Sequence, residues 1–470
     1  MKAVYSSPSL PEAFLDEEIL PNREDVYFKY EQAVERVVPV KTIGRVTNVV
    51  GLTIEATGPF GAIGDVCWVE TEQGQKVMAE IAGFRDKKTI IMPLGELRGI
   101  SPGMRVVNTR RKLEVPVGNE VLGRILGGDG EPIDGKGQIQ VPLMYPVDRQ
   151  PPSAYQRKRI TEVMVTGIRA IDGLLTVGKG QRVGIFSGSG VGKSTLLGMI
   201  ARNTLADVNV IALIGERGRE VREFIERDLG EEGLKRSVVV VVTSDEPPMR
   251  RIRGAYVATA IAEYFRDQGF DVMFMMDSAT RFAMAQREVG LAVGEVPATK
   301  GYTPSVFSLL PRLMERTGTS DKGSITAFYT VLVEGDDVNE PISDTVRGIL
   351  DGHIVLSRQL AQKNHYPAID VLASVSRLMV DVASEEHKLL AAKVKELLAT
   401  YREAEDLIRI GAYVRGSDPK IDEALLRISA IEAFVKQGIF EKVSFDETMF
   451  QLQRILVEGR KVRTPGMPRP

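Results

Sequence analysis

The sequence has few of the residues that build disulfide frameworks or metal clusters. Cys67 is the only cysteine in 470 residues, and there are three histidines. A single cysteine cannot form a disulfide within the chain, and this usage fits a reducing cytoplasm. The histidines are scattered, which argues against a histidine-based metal site.

The chain also lacks a strong net charge and a long apolar run. Its formal net charge is −2, so nothing global points to nucleic acid or to an acidic membrane surface. Apolar runs such as 238–242 fall far short of the roughly 20 residues that a membrane span needs. The first residues include Glu12, Asp16 and Glu17, which argues against a secretory signal. We expect a cytoplasmic protein that meets the membrane only through partners.

Patterning along the chain predicts several segments. We interpret residues 1–24 as a mobile segment and 25–118 as a β-barrel domain with a short leading helix at 25–37. The barrel is expected because short β-rich runs alternate with glycines. These runs are 44–50, 53–56, 66–69, 76–81 and 89–93.

Residues 119–380 are predicted to form an α/β, doubly wound domain, entered through a glycine-rich loop at 118–137. Its expected strands are apolar throughout, as parallel strands covered on both faces should be. They are 182–187, 209–214, 237–243, 271–277 and 324–333, with helices between them at 195–205 and 254–268. Strand signals stop after Met379. Ser384 is expected to cap a helix that runs to Gly411, within a helical domain at 381–459, before a disordered tail at 460–470.

A phosphate-binding loop follows the first of these strands and opens a helix. Its residues are Ser187, Gly188, Ser189, Gly190, Val191, Gly192, Lys193, Ser194 and Thr195. The glycines let backbone N–H groups and the helix N-terminus face phosphate oxygens. Lys193 is expected to reach the β- and γ-phosphates, and the Ser194 hydroxyl to ligate Mg. Ser187 stands where the usual pattern has glycine.

Two carboxylates at strand ends complete the predicted ATPase site. Asp277 ends an apolar strand and could hold Mg through its water shell, although a lone Asp there is more often a helix cap. Glu216 follows the strand 209–214 and is our candidate for orienting the attacking water. For the neighbouring Arg219 and Glu220, a solvated charge run at a helix start explains the pattern equally well.

The stretches 365–370 and 374–377 are placed after the last strands of the α/β domain. Tyr366 could stack on adenine, although a lone aromatic more often belongs to the core, and its spacing alone leaves this undecided.

Taken together, several motifs resemble those of the ATPases of flagellar protein export and of injectisome type III secretion, which are relatives of the catalytic subunit of rotary ATP synthases. The motifs are GSGVGKST at 188–195, GERGREV at 215–221, MDSATRFA at 276–283 and GHIVLSR at 352–358, together with the run 309–337. The resemblance covers about 25–453. The pattern at 408–413 and 415–419 looks more like the flagellar branch, because the injectisome branch tends to carry an acidic residue where Ala412 stands.

The resemblance implies a RecA-like ATPase domain between the barrel and the helical domain, and a homohexameric ring with nucleotide at its interfaces. It makes Glu216 the catalytic glutamate and Arg217 a nearby arginine on the phosphate side. Tyr366 matches the adenine-stacking tyrosine, and Arg377 the arginine finger that a neighbouring subunit inserts. The expected cofactor and substrate are Mg and ATP.

The resemblance also implies partners: a stator-like regulatory subunit, a central stalk-like subunit, export chaperones and substrates, and indirectly the membrane export gate. We expect no nucleic acid and a peripheral position at the cytoplasmic face of the apparatus. The apolar residues of 10–20 could form a short helix face that folds against the regulatory subunit, or the segment could be a plain tail.

Three other readings stay open. A rotary ATP synthase catalytic subunit has the same catalytic residues and would form a ring with a noncatalytic homologue. A transcription terminator or ring helicase pairs the same two domains and would need bases stacked on the barrel, where Phe60, Trp68 and Phe84 are too few to argue from. A noncatalytic nucleotide-binding scaffold would be favoured if Glu216 were missing.

Overall fold

The computed structural model describes residues 41–141, 143–333 and 340–457. The predicted mobile segment at 1–24, the leading helix at 25–37 and the tail at 460–470 lie outside these ranges. Residues 334–337, at the end of the motif run 309–337, also lie outside them.

The N-terminal part is a closed barrel in which neighbours pair in the order β1-β2-β5-β4-β3-β6. The strands are β1 Thr42–Val50, β2 Thr53–Thr57, β3 Val66–Glu70, β4 Lys76–Arg85, β5 Lys88–Pro93 and β6 Arg105–Asn108. Inward-facing apolar residues such as Ile54, Ile81 and Val106 fill it completely. The predicted barrel is confirmed. The closing strand β6, which pairs with both β1 and β3, was not predicted.

Between the barrel and the main sheet lie three short strands, β7 Glu114–Val117, β8 Ile125–Leu126 and β9 Leu143–Pro146. β7 and β9 pair with each other, while β8 adds to the edge of the main sheet beside a later strand. The expectation of loop throughout 118–137 is therefore wrong at β8. A two-residue strand carries no period that a sequence pattern could show.

The main sheet is doubly wound, as predicted. Its remaining strands are β10 Arg182–Ser187, β11 Val208–Glu216, β12 Ser237–Thr243, β13 Asp271–Asp277, β14 Gly318–Thr319, β15 Ser324–Leu332, β16 Gly352–Leu356 and β17 Ile369–Ser376. The order is β17-β16-β10-β15-β13-β11-β12-β8, with β14 paired beside β15. All ladders along this path are parallel except that of β17 on β16. The carboxyl ends of the parallel strands thus meet along one edge, where ligands bind in such folds.

The placement of 365–377 after the last strands is wrong, because residues 369–376 form β17. This edge strand mixes buried, half-buried and exposed positions and carries Asp370, Ser374 and Ser376. It therefore lacks the apolar run by which the central strands were recognised. For the same reason β16, with alternating half-buried positions, was not predicted.

Helices cover both faces of the sheet and form the C-terminal part. They are α1 Arg169–Leu174, α2 Lys193–Asn203, α3 Gly218–Glu223, α4 Gly230–Lys235, α5 Pro248–Asp267, α6 Ala279–Val293, α7 Pro304–Met314, α8 Pro341–Ile349, α9 Arg358–Gln362, α10 Met379–Val382, α11 Glu385–Arg409, α12 Pro419–Val435 and α13 Phe445–Val457. A π-helical turn, Phe224–Leu229, joins α3 to α4. Within the described ranges, none of these helices has the length and apolar content of a membrane span.

Helix α11 begins where predicted, with the Ser384 hydroxyl accepting a hydrogen bond from the His387 N–H. This satisfies one of the free donors of the first turn. Val394, Leu397 and Ala404, from the predicted apolar face, are buried. The helix ends at Arg409, two residues before the predicted Gly411, and helical structure continues to Val457.

A buried ion pair connects the barrel to the α/β part. Arg253 on α5 donates to the carboxylate of Glu80 on β4, with Nε 2.6 Å from Oε2, and both side chains are almost fully buried. Burial raises the pKa of Glu80, and the Arg253 guanidinium opposes that rise. The loop before α5 contacts the end of β11, where the Ser244 N–H donates to the Glu216 carbonyl at 3.1 Å.

Candidate functional site

The phosphate loop lies between β10 and α2, at the edge where the parallel strands end. Gly190 and Gly192 have φ of 76° and 93°, in the left-handed region where glycine is favoured. Gly192 is the N-cap of α2, and no side chain caps the helix there. The N–H groups of the first turn are thus left free to bind an anion. The Oγ of Ser187 is buried and has no hydrogen-bond partner among the described residues.

Lys193 joins two carboxylates at the head of this loop. Its Nζ lies 2.5 Å from Asp277 Oδ1 and 3.5 Å from Glu216 Oε1, and all three side chains are largely buried. Although burial disfavours the charged ammonium, the carboxylates of Asp277 and Glu216 hold the pKa of Lys193 above its usual value. The three residues predicted from separate motifs therefore form one cluster.

Asp277 ends β13 directly beside the loop, and its Oδ1 accepts a hydrogen bond from the Thr330 hydroxyl at 2.8 Å. The Ser194 hydroxyl, half-buried in the first turn of α2, is the second oxygen of the predicted metal pair. A hydroxyl and a carboxylate suit Mg²⁺, which usually keeps several waters and takes its other ligands from phosphates. Among the described residues, no cluster of three or more His, Cys, Asp or Glu side chains could hold a metal ion without these phosphate ligands. The donors present thus fit Mg bound with a nucleotide.

Glu216 is held at the end of β11 by a break in the sheet register. The ladder to β12 shifts between Ile214 and Glu216, and Gly215 has φ of 73°. A side chain at Gly215 would come within 2.7 Å of the Arg281 Cβ, so the backbone can pass there only as glycine. Burial raises the pKa of Glu216 to about 7, Asp277 adds to the rise, and Lys193 opposes it.

The arginines that follow Glu216 point to the surface. Arg217, the N-cap of α3, has a side chain 80% exposed and lies 3.7 Å from Glu220. Arg219 is 87% exposed and pairs with Glu223 at 2.9 Å. Among the described residues, neither arginine forms an ion pair with Glu216 or Asp277. The phosphate-side role of Arg217 stays a prediction, and Arg219 has the environment of a solvated helix start.

Tyr366 lines a cavity of about 700 Å³ beside the phosphate loop. A Cβ atom placed on Gly192 would lie 3.5 Å from the Tyr366 ring, so this ring packs directly against the phosphate loop. The cavity is also lined by a loop of the C-terminal part that includes Phe440, a residue 71% exposed. The Gln437 N–H donates to the Tyr366 carbonyl at 3.0 Å, which fixes this loop on the pocket. A pocket lined by aromatic side chains suits a planar base.

Phe440 is a site residue that the sequence analysis did not find. No local pattern marks it, because it lies in the loop Lys436–Phe440 between α12 and α13, more than two hundred residues from the phosphate loop. Only the packing of that loop against Tyr366 brings it to the site.

Arg377 is not brought to the phosphate loop of its own chain. β17 runs antiparallel to β16, with Ile369 opposite Leu356 and Ser376 opposite Gly352. Since Leu356 lies opposite Ser187 across the β10–β16 ladder, the start of β17 is near the loop and its end is at the other edge of the sheet. The two ends of β17 lie opposite Leu356 and Gly352, four residues apart on β16, which at about 3.3 Å per residue is roughly 13 Å along the strand direction. Arg377 is exposed there, and its N–H donates to the Asp351 carbonyl.

Three family models match the chain. The ATP synthase alpha/beta family, nucleotide-binding domain, matches residues 167–376, and that family's beta-barrel domain matches 46–110. The T3SS EscN ATPase C-terminal domain matches 383–454.

Individual proteins are similar over nearly the whole length. The flagellum-specific ATP synthase of Bacillus subtilis (strain 168) is 56% identical over 421 residues, which cover 89% of this chain and 96% of that protein. The type 3 secretion system ATPase of Xanthomonas euvesicatoria is 51% identical over 424 residues, 89% and 96% of the two. The solved structure of the assembled ATPase EscN, from the type III secretion system of enteropathogenic E. coli, has a TM-score of 0.84 and 46% identity, and the match covers 88% of this chain and 100% of EscN.

Proposed function

The chain belongs to the ATP synthase alpha/beta family, among its flagellar and type III secretion ATPases, and we propose that it hydrolyses ATP to drive protein export through the flagellar apparatus. The observation that carries the ATPase activity is the cluster of Lys193, Glu216 and Asp277 at the head of the phosphate loop. The two relatives with 56% identity are both flagellum-specific ATP synthases.

In the proposed mechanism, Lys193 exchanges its carboxylate partners for the β- and γ-phosphate oxygens of ATP. Asp277 and Ser194 would then hold Mg, which supplies charge neutralisation on the phosphates. Glu216, left without the ammonium, orients a water in line with the γ-phosphate and accepts its proton as the bond to ADP breaks. Tyr366 and Phe440 hold the base. The products are ADP and phosphate.

The proposed assembly is a homohexamer, in which each site takes its arginine finger from the next subunit. The distance between Arg377 and the loop of its own chain supports this, since the side chain is exposed at the far edge of the sheet. A head-to-tail ring brings that edge to a neighbouring loop. The related EscN has been solved as an assembled ATPase and in complex with its central stalk EscO. We therefore propose a stalk-like partner in the centre of the ring.

The other partners stand as proposals: a stator-like regulatory subunit, export chaperones and substrates, and a cytoplasmic position beside the membrane export gate. The match of residues 383–454 to a type III secretion ATPase C-terminal domain favours export over a rotary ATP synthase subunit or a ring helicase. An injectisome ATPase is the second candidate, because such proteins are 51% identical to this chain.

A strain of Bacillus subtilis that lacks its flagellum-specific ATP synthase tests the export function. Expression of this chain in that strain is expected to restore swimming and secretion of the filament protein, whereas the Glu216→Gln variant, expressed at the same level, restores neither. Rescue of a Xanthomonas euvesicatoria strain without its type 3 secretion ATPase, and no rescue of the flagellar strain, would assign the chain to the injectisome branch.

The pH dependence of kcat/KM for ATP should report Glu216. Because burial raises its pKa to about 7, the carboxyl is partly protonated at neutral pH and cannot accept a proton in that form. We expect kcat/KM to rise between about pH 6 and pH 8 and to level off above. Glu220 contributes to the raised pKa through a hydrogen bond, so Glu220→Gln should move the midpoint to lower pH. A flat profile over this range would contradict the assignment.

A further inference from the structure

We propose that Arg402, on helix α11, positions strand β17 and thereby sets two functional side chains at once: Tyr366 in its own adenine pocket and Arg377 in the site of the next subunit. This inference rests on the shared site proposed above. It makes Arg402 a positioning residue, which acts through the strand and touches neither nucleotide nor phosphate.

The two functional side chains flank the same strand. Tyr366 lies three residues before β17 begins, and Arg377 follows its last residue. The strand is not a continuous ladder, because Asp370 is paired with Val355 and Val375 with His353. Residues 371–374 therefore bulge out opposite a single residue of β16. A bulge re-aims the parts of a strand on either side of it, so its geometry decides where both ends point.

Asp370 fixes that bulge. Its Oδ1 accepts from the N–H groups of Leu372 and Ala373, each at 3.1 Å. The Ser374 hydroxyl closes the other side by donating to the Asp370 carbonyl at 2.6 Å, and it accepts from the Val355 N–H at 2.9 Å. A single carboxylate oxygen of Asp370 therefore stabilises the bulge, which lies between Tyr366 and Arg377 in the chain.

Arg402, in the C-terminal part, donates a hydrogen bond to the same oxygen, with its Nη2 2.9 Å from Asp370 Oδ1. A second ion pair runs beside it, from Lys363 on the loop after α9 to Glu405 on α11, at 3.1 Å. Through these contacts, a shift of helix α11 is passed directly to the bulge.

The interface around the two pairs is loosely packed. A cavity of about 250 Å³ lies between β17, α9, α11 and α12. His365, next to Tyr366, is 7% exposed and lines this cavity, and its Nε2 has no hydrogen-bond partner among the described residues. Empty space lowers the packing cost of moving one wall against the other. Beside this cavity, the two ion pairs connect α11 to β17 and to the loop that precedes it.

Mixed rings separate the two effects. Lys193→Ala subunits supply intact fingers, and Arg377→Ala subunits supply intact loops, so turnover in their mixture arises where one meets the other. With Arg402→Gln added to the finger donor, we expect kcat to fall about threefold at unchanged KM, the size of effect expected for one exposed ion pair. With Arg402→Gln added to the loop donor, we expect KM for ATP to rise about threefold, with kcat nearly unchanged.

The controls decide between positioning and general damage. Arg402→Lys should restore most of both effects, because it keeps a cation near Asp370. Lys388→Gln, which removes a cation from the same helix that pairs with Glu385 and takes no part in the Asp370 or Lys363 contacts, should change neither parameter. Equal effects in the two placements, or none, would overturn the positioning role while leaving the shared site intact. A parental mixture with no turnover would overturn the shared site, and the inference with it.

Discussion

The Glu216→Gln variant is expected to bind ATP with nearly unchanged affinity and to hydrolyse it about 10²–10⁴-fold more slowly, the usual contribution of a positioned base. The amide keeps the shape of the side chain but cannot accept a proton from water. Glu216 lies 3.5 Å from the Lys193 ammonium at the end of β11, so the substitution also removes a charge from the cluster. Its effect on binding should be small, because Lys193 leaves Glu216 for the phosphates when ATP is bound.

Two measurements check this result: the steady-state rate of phosphate release, and the affinity for a fluorescent ATP analogue. Lys193→Ala is the contrast, because it should weaken nucleotide binding as well as turnover. Glu220→Gln is the matched control, since it makes the same chemical change at an exposed position of the neighbouring helix and should keep turnover above pH 8, about one unit past the Glu216 midpoint. Turnover of Glu216→Gln within a factor of about three of the unaltered protein would remove Glu216 from the mechanism.

The parts of the site that could be predicted from sequence are those written in consecutive residues. The phosphate loop needs glycine at fixed offsets before Lys193, and the strands 182–187, 237–243 and 271–277 were predicted with the bounds that the structure shows. These strands are apolar throughout because helices cover both their faces. Glu216 and Asp277 follow from such strands, since the carboxyl ends of parallel strands share one edge of the sheet.

Contacts between distant segments could not be predicted. The placement of Lys193 between Asp277 and Glu216 depends on three strand ends meeting, and the distances depend on the register shift at Gly215. Phe440 reaches the pocket only through the packing of the loop after α12. β17 was missed because an edge strand with a bulge shows neither a continuous apolar run nor a clean alternation.

The Arg377→Ala variant is expected to lose about 10³–10⁵-fold in turnover, the range over which an arginine finger stabilises the charge on a transferring phosphoryl group. The reason lies in the sheet topology. Arg377 is exposed at the edge of the sheet opposite the phosphate loop, level with Gly352 whereas Ser187 is level with Leu356, so we expect its guanidinium to act on a γ-phosphate held by another subunit. ATP affinity measured on the dilute protein should change little, because the finger contacts no residue of its own site.

Mixing tests this directly, because two inactive proteins should give an active one. In a mixture of Arg377→Ala with Lys193→Ala, some interfaces pair an intact loop from the first with an intact finger from the second, and turnover at these interfaces should return. The unaltered protein should show the same dependence on a neighbour as a steep rise of specific activity with protein concentration. Lys388→Gln, which removes a cation near the start of α11, is the control that should leave the activity of the mixture unchanged. A dilute monomer with full activity would show that each chain completes its own site and would contradict the shared site.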